Sequence, residues 1–155
     1  MPERRDHALS ISIAHFRRVC QEAGIRMTPQ RLEIFREVAR AQDHPSAEQV
    51  YKRVKPKMPN ISLDTVYRTL ATFEQCGLLS KLIVFEDHTR FDPNTSAHHH
   101  MVCTECRKVY DFSWPVFEKL ELPRRARGWG IINDRQVQLM GLCKECLNRR
   151  ERKDK

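Results

Sequence analysis

Cys103-Thr104-Glu105-Cys106 and Cys143-Lys144-Glu145-Cys146 form two C-x-x-C pairs, with Cys106 and Cys143 37 positions apart. A C-x-x-C turn offers two thiolates from one tight loop. Two such turns brought together make a closed tetrahedral S₄ cage, the preferred structural site for Zn²⁺. The same residues can be read as two redox or disulfide pairs, but one chain rarely carries two redox motifs, so structural zinc is the favoured reading. A four-sulfur site leaves no open coordination position. It would staple a module together and would not act on a substrate.

A second set of metal-ligating types lies nearby. His98-His99-His100 precedes the first cysteine pair. On an extended chain His98 and His100 point to one side and His99 to the other. Asp111 follows on the next expected strand, Asp92 precedes the run, and His44 sits in an Asp43-His44-Pro45-Ser46 loop. Three imidazoles and two carboxylates are a harder donor set than four thiolates and suit Fe²⁺, Mn²⁺ or Zn²⁺. Residue types alone do not assemble the set: a histidine beside a helix cap is usually a surface residue, and a histidine run is often solvated.

The elements that must position these residues differ between the two halves. In the first, Ile13, Phe16, Val19 and Cys20 sit at helical spacing, with Gly24 as a stop. Thr28 caps a second helix with Pro29 in its first turn. Ser46 opens a third with Gln49 completing a capping box, and Pro56 to Asn60 ends it. A fourth helix runs from Ser62 to Cys76, with Gly77 just past its end. Leu78 to Phe85 and Thr89 to Asp92 read as two strands around a Glu86-Asp87-His88 turn. Helices followed by a two-stranded hairpin describe a winged helix-turn-helix. After an Asp92-Pro93-Asn94-Thr95-Ser96 hinge, Met101 to Cys103, Val109 to Phe112 and Ile131 to Leu142 read as strands. Val116 to about Arg127 reads as a helix that Pro123 should kink or shorten. Arg149 to Lys155 is a charge run expected to fray. The expected fold is α+β: a winged-helix domain over 1–92, a hinge over 93–97, and a zinc-binding dimerisation domain over 98–155.

The fourth helix is the candidate DNA reader. Ser62 and Thr65 at its N-terminus can donate to phosphate. Tyr67 and Arg68 lie off its Val66/Leu70 core face, where Arg68 can read guanine and Tyr67 can pack on a thymine methyl. Arg17, Arg18, Arg26, Arg31 and Lys57 can add phosphate contacts. The net charge of +8 over 155 residues favours a polyanionic partner, although a basic surface alone is compatible with mere solubility. Hydrophobic residues make up 40% of the chain, so it is globular. No stretch is long enough to span a membrane and no apolar leader follows Met1 to His7, so neither insertion nor export is expected. Free thiolates for zinc also suit the cytoplasm. Cys20 and Cys76 sit in helical patterns as small side chains of the packing.

Taken together, these motifs resemble those of the ferric uptake regulator family over nearly the whole chain. Gly24-Ile25-Arg26-Met27-Thr28-Pro29-Gln30-Arg31 resembles its first signature and His44-Pro45-Ser46-Ala47-Glu48 its second. Asp64-Thr65-Val66-Tyr67-Arg68-Thr69-Leu70 resembles its recognition helix. His98 to Cys106 resembles its hinge and first zinc knuckle. The resemblance implies a homodimeric, metal-dependent repressor of a double-stranded DNA operator, with Arg17, Arg26, Gln30, Arg31, Ser62, Thr65, Tyr67 and Arg68 at the DNA and no enzymatic activity. It implies structural Zn²⁺ at the four cysteines and a regulatory Fe²⁺ or Mn²⁺ at His44, Asp92, His98, His100 and Asp111. Peroxide-responsive members carry Asp at both carboxylate positions, as here, where iron-sensing members usually carry Glu. In such members iron-catalysed oxidation falls on the residues matched by His44 and His98. A further metal site of many members needs a histidine in the C-terminal half; none follows His100, so that site is expected to be absent.

Three other readings remain open at the level of sequence. An iron- or zinc-supply sensor of the same family would share this recognition helix. A zinc deaminase would need H-x-E and P-C-x-x-C, and neither cysteine pair here follows a proline. A zinc-ribbon scaffold would bind one metal per chain where a sensor binds two.

Overall fold

The computed structural model describes residues 13–85 and 88–153. Met1 to His7, Glu86 and Asp87 of the expected turn, and the last two residues of the charge run lie outside the described residues. The chain divides into two compact units between Thr95 and Ser96.

The first unit is a winged helix: α1 (13–22), α2 (Pro29–Arg40), α3 (Ala47–Val54), α4 (Leu63–Gln75), then β1 (Ser80–Phe85) and β2 (His88–Asp92), paired antiparallel. Each helix start has a local cause. Thr28 accepts the Arg31 N–H at 3.3 Å ahead of Pro29, and Ser62 accepts the Thr65 N–H at 3.1 Å. At α3 the Ser46 and Gln49 side chains each satisfy the other's backbone N–H, a complete capping box. Gly77 follows α4 at φ +72, where a Cβ would be strained, and turns the chain into the hairpin. Phe16, Phe35 and Phe73 meet at the centre with ring centroids 4.4 to 6.1 Å apart, surrounded by Ile34, Val38, Val50, Val54, Val66 and Leu70, all fully buried.

The second unit holds β3 (His99–Cys103), β4 (Val109–Phe112), α5 (Pro115–Lys119), α6 (Arg124–Arg127), β5 (Gln138–Gly141) and α7 (Lys144–Lys153). Its sheet runs β4-β3-β5, antiparallel between β3 and β4 and parallel between β3 and β5. The parallel pairing needs a crossover, which the segment with α5 and α6 supplies.

The structure departs from three of the sequence expectations. The strand expected over Ile131 to Leu142 is confined to Gln138–Gly141, because only those residues find β3 as a partner. The helix expected over Val116 to Arg127 is two short pieces, broken before Pro123, which cannot continue a helix from Leu120. The charge run from Arg149 continues α7 as far as Lys153, with Arg149 and Arg150 both facing Glu105.

Candidate metal centres and nucleic-acid interface

The parallel register explains the cysteine cluster. Cys103 pairs with Gly141 at the same end of neighbouring strands, so both C-x-x-C turns leave the sheet side by side. The four sulfurs lie within 4.8 Å of one another, and Cys106 Sγ is 3.7 Å from Cys143 Sγ. All six cysteines of the chain are free thiols. Burial pushes the Cys103 thiol up, but backbone N–H groups of Cys143, Cys106 and Glu105 outweigh it and bring it down to about 6. The Cys143 N–H lies 3.3 Å from its sulfur. Cys146 is pushed up to about 12 by burial and by the neighbouring sulfurs, against the Arg149 guanidinium 2.7 Å away. One thiolate therefore forms readily, and further negative charge is resisted unless a cation joins it. That is the field a dication relieves, so the cluster fits structural zinc. Ion pairs Lys108–Glu145 (2.8 Å) and Arg150–Glu105 (2.7 Å) tie one knuckle to the other.

The histidine set divides between the units. In the second, His98, just before β3, and His100 on it have ring centroids 4.5 Å apart. His100 lies directly opposite Asp111 in the β3/β4 register. His98 Nδ1 is 2.7 Å from the Ser96 carbonyl. A carbonyl only accepts, so Nδ1 carries the proton and a neutral His98 keeps its lone pair on Nε2. That lone pair and His100 Nε2 point at one oxygen of Asp111, at 3.6 and 3.5 Å. Two imidazole nitrogens and a carboxylate oxygen gathered in this way are a donor set that fits a divalent cation. His99 takes the other side, among Phe112, Trp114 and Phe117, with Nδ1 accepting the Val137 N–H at 3.3 Å.

In the first unit, His44 Nε2 lies 3.4 Å from Asp92 Oδ2. Only 4% of His44 and 1% of Asp92 is exposed, so the two face each other away from solvent. Asp92 also accepts the Asn94 N–H at 2.8 Å. His44 adopts φ +48, and the Phe91 N–H bonds the Pro45 carbonyl at 3.0 Å, which fixes the His44 and Asp92 segments against each other.

Of the expected DNA residues, Arg26, Gln30, Arg31, Thr65 and Arg68 line one open groove of about 330 Å³ between the starts of α2 and α4. Ser62 caps α4 beside it. Arg31 donates to the Arg26 carbonyl at 2.6 Å, and Arg68 pairs with Asp64 at 3.0 Å while its side chain stays 81% exposed. Arg17 is exposed on α1 and does not line this groove. Tyr67 is exposed beside it and donates its hydroxyl to Glu48 of α3. Lys57, expected at phosphate, is held by Glu33 and Glu37 of α2. Sequence reasoning missed Glu48 and Arg149. Arg149 was legible as the i+3 neighbour of Cys146 on a helix, whereas the Glu48–Tyr67 pair joins two helices and leaves no local trace.

A winged helix followed by a small α/β unit with a four-cysteine knuckle is the architecture of a metalloregulator. The model of the ferric uptake regulator family matches residues 22–138, and the chain belongs to that family. It is 37% identical over 142 residues to the peroxide-responsive repressor PerR of Staphylococcus epidermidis, covering 91% of each chain. It is 36% identical over 145 residues to that of Staphylococcus aureus, covering 93% of this chain and 95% of the relative. Among solved structures, the manganese-bound ferric uptake regulator of Pseudomonas aeruginosa is similar at TM-score 0.64 and 32% identity, over 81% of this chain and 95% of that one. The iron-bound regulator of Francisella tularensis is similar at TM-score 0.70 and 25% identity, over 80% and 96%.

Proposed function

We propose that the chain is a cytoplasmic, homodimeric, metal-dependent repressor that senses peroxide. The observation that carries this is a pair of imidazole–aspartate groups, one in each unit, built only from His and Asp, in which all three imidazoles and Asp92 are buried and Asp111 is exposed. Our reading is that one regulatory ion joins His44 and Asp92 to His98, His100 and Asp111, while zinc sits in the cysteine cage. Fe²⁺ held there would supply electrons to hydrogen peroxide and so expose a neighbouring imidazole to oxidation, which Mn²⁺ or Zn²⁺ would not do.

The chain's own residues do the rest. Asp111 and Asp92 offset the ion's charge, and the Ser96 carbonyl holds His98 with Nε2 toward it. The hinge at 93–97 connects the two donor groups, so sharing an ion fixes the angle between the units. In a dimer that angle sets the spacing of two α4 helices, which must meet successive major grooves about 34–36 Å apart or a multiple of this. The groove between α2 and α4 supplies phosphate contacts through Arg26 and Arg31, while Arg68 and Tyr67 read bases.

The second unit supports dimerisation. An open, mainly apolar groove of about 660 Å³ runs along β3 and β5, with Met101, Leu139 and Met140 exposed in it. Such a face belongs against a second copy. No helix among the described residues is long and apolar enough to cross a membrane. The relatives named for their peroxide response favour peroxide over metal supply as the signal. The deciding experiment exposes Fe²⁺- and Mn²⁺-loaded protein to peroxide and measures DNA binding alongside peptide masses. Loss of binding in both forms, or in neither, would refute the iron-based mechanism.

A further inference from the structure

Tyr67 is the only large apolar ring that the described part of α4 presents to solvent, and its hydroxyl is committed within the first unit. It donates to Glu48 Oε1, across from α4 to the first turn of α3. The hydrogen bond from Tyr67 is the chief cause that holds the Glu48 carboxyl below the usual carboxylate range. Reciprocally, the carboxylate holds the Tyr67 phenol above its ordinary value, so the hydroxyl stays protonated and remains the donor.

Glu48 does not float. It sits inside the Ser46–Gln49 capping box, where the Ser46 N–H meets Gln49 Oε1 at 2.9 Å and the Gln49 N–H meets Ser46 Oγ at 3.3 Å. The Arg90 guanidinium of β2 donates to the same Gln49 oxygen. Beside the box, the Phe91 N–H bonds the Pro45 carbonyl at 3.0 Å, between His44 and Asp92 in the chain. An acidic side chain beside a DNA-reading helix repels phosphate and would be disfavoured unless it had another task.

We infer that Glu48 is a positioning residue for DNA reading: its carboxylate anchors the Tyr67 hydroxyl and so aims the ring at a base edge, from a capping box tied to the His44/Asp92 segment. This rests on the proposed reading of α4 as the base-contacting helix. An unanchored Tyr67 would sample several χ1 rotamers at the protein–DNA boundary and lose the discrimination that one fixed ring gives.

The test uses Mn²⁺-loaded full-length protein and a random-sequence DNA duplex pool. Base preference is read by sequencing the retained fraction, and bulk affinity is read on the unselected pool. Wild type, Tyr67→Ala, Tyr67→Phe, Glu48→Gln, Glu48→Ala and the Glu48→Ala/Tyr67→Phe pair are compared. We expect Tyr67→Ala to flatten preference at one base-pair position in each half-site by roughly tenfold. Tyr67→Phe and Glu48→Ala should each flatten that same position, and the double variant no further, because both singles remove one hydrogen bond. Glu48→Gln keeps an acceptor and should keep the preference. A merely electrostatic role would make Glu48→Gln and Glu48→Ala alike, tightening every sequence while leaving preference intact, and that result overturns the inference. If Tyr67→Ala flattens a position that Tyr67→Phe and Glu48→Ala leave sharp, the inference falls and the DNA reading stands. If Tyr67→Ala leaves every position sharp, the assignment of Tyr67 to a base falls, and the inference with it.

Discussion

Replacing Cys143 by serine should separate the two units energetically. Among the described residues of the second unit four apolar residues are buried, Val102, Cys103, Val109 and Cys146, and two of these are ligands of the proposed cage. Burying the two valines stabilises by about 1.5–3 kcal/mol each, or ~3–6 kcal/mol together. A structural zinc site contributes roughly 10–16 kcal/mol. The ion therefore outweighs the apolar core, and a unit of this size is marginal without such help. The first unit has no cysteine of the cage and a core centred on Phe16, Phe35 and Phe73. In Cys143→Ser we expect zinc to be lost and the protein to sediment as a monomer. Amide exchange over β3, β4 and β5 should accelerate by roughly a thousandfold or more, since about 4 kcal/mol corresponds to a factor near 10³. Exchange over α2, α3 and α4 should stay within about tenfold of wild type. A zinc-free Cys143→Ser protein with wild-type protection in β3 to β5 would refute the reasoning, because the sheet would then be held by its own packing.

Four further outcomes are expected. Arg26→Ala should weaken all DNA sequences alike and reduce the log–log salt slope by about one, while Lys57→Ala, already neutralised by Glu33 and Glu37, should leave the slope unchanged; anisotropy titrations between about 50 and 200 mM salt check both. Mild peroxide should add one oxygen to His44 or His98 in Fe²⁺-loaded protein and abolish DNA binding, with the Mn²⁺ form unaffected; peptide mass spectrometry finding unmodified histidines alongside lost binding would move the sensing role to cysteine. Leu139→Asp, which charges the exposed β5 face, should raise the dimer dissociation constant by a hundredfold or more, on the order of 3 kcal/mol, measured by sedimentation. His44→Ala should leave the His98/His100/Asp111 group able to take up Mn²⁺ while making DNA affinity indifferent to it, so calorimetry showing no Mn²⁺ uptake at all would contradict the division of roles.

What was legible in the sequence is what local chemistry dictates. Thr28-Pro29, the Ser46–Gln49 box and Ser62 announce three helix starts because a capping side chain and its N–H lie within four residues. Cysteine spacing announces the knuckles because only turn geometry and thiolate chemistry are needed. The second unit was less legible. The 131–142 stretch carries apolar residues at strand-like density, yet Ile131 is 84% exposed and only Gln138–Gly141 pairs. A partner strand decides that, and no local pattern encodes it. The charge run of α7 looks solvated by composition, and its helix is supported by Cys146 and by the Glu105 pairs from a segment some 45 positions away. The histidine and aspartate set needed family resemblance, because its members are spread from the α3 cap to β4 and no spacing rule connects them.

Division of the histidine set is what would let it switch. Within the second unit, β3/β4 pairing holds His100 opposite Asp111, and the Ser96 carbonyl holds His98. Within the first, the Phe91–Pro45 hydrogen bond holds Asp92 near His44. Each group is thus preorganised by its own backbone, and neither needs the other in order to form. On the proposed reading, the only free energy available to fix the hinge is the extra affinity gained when both groups share one ion. Moving a hinge from 1:99 to 99:1 takes about 10⁴-fold, or ~5.5 kcal/mol. His44 and Asp92 must supply that difference between them, and His44 is the sole imidazole of that group. Its chemical alteration removes a large share of the coupling at once, whereas altering His98 leaves His100 and Asp111 in place and acts mainly on retention of the ion. Two sites of oxidation would then silence the same repressor by different routes, one by uncoupling and one by release.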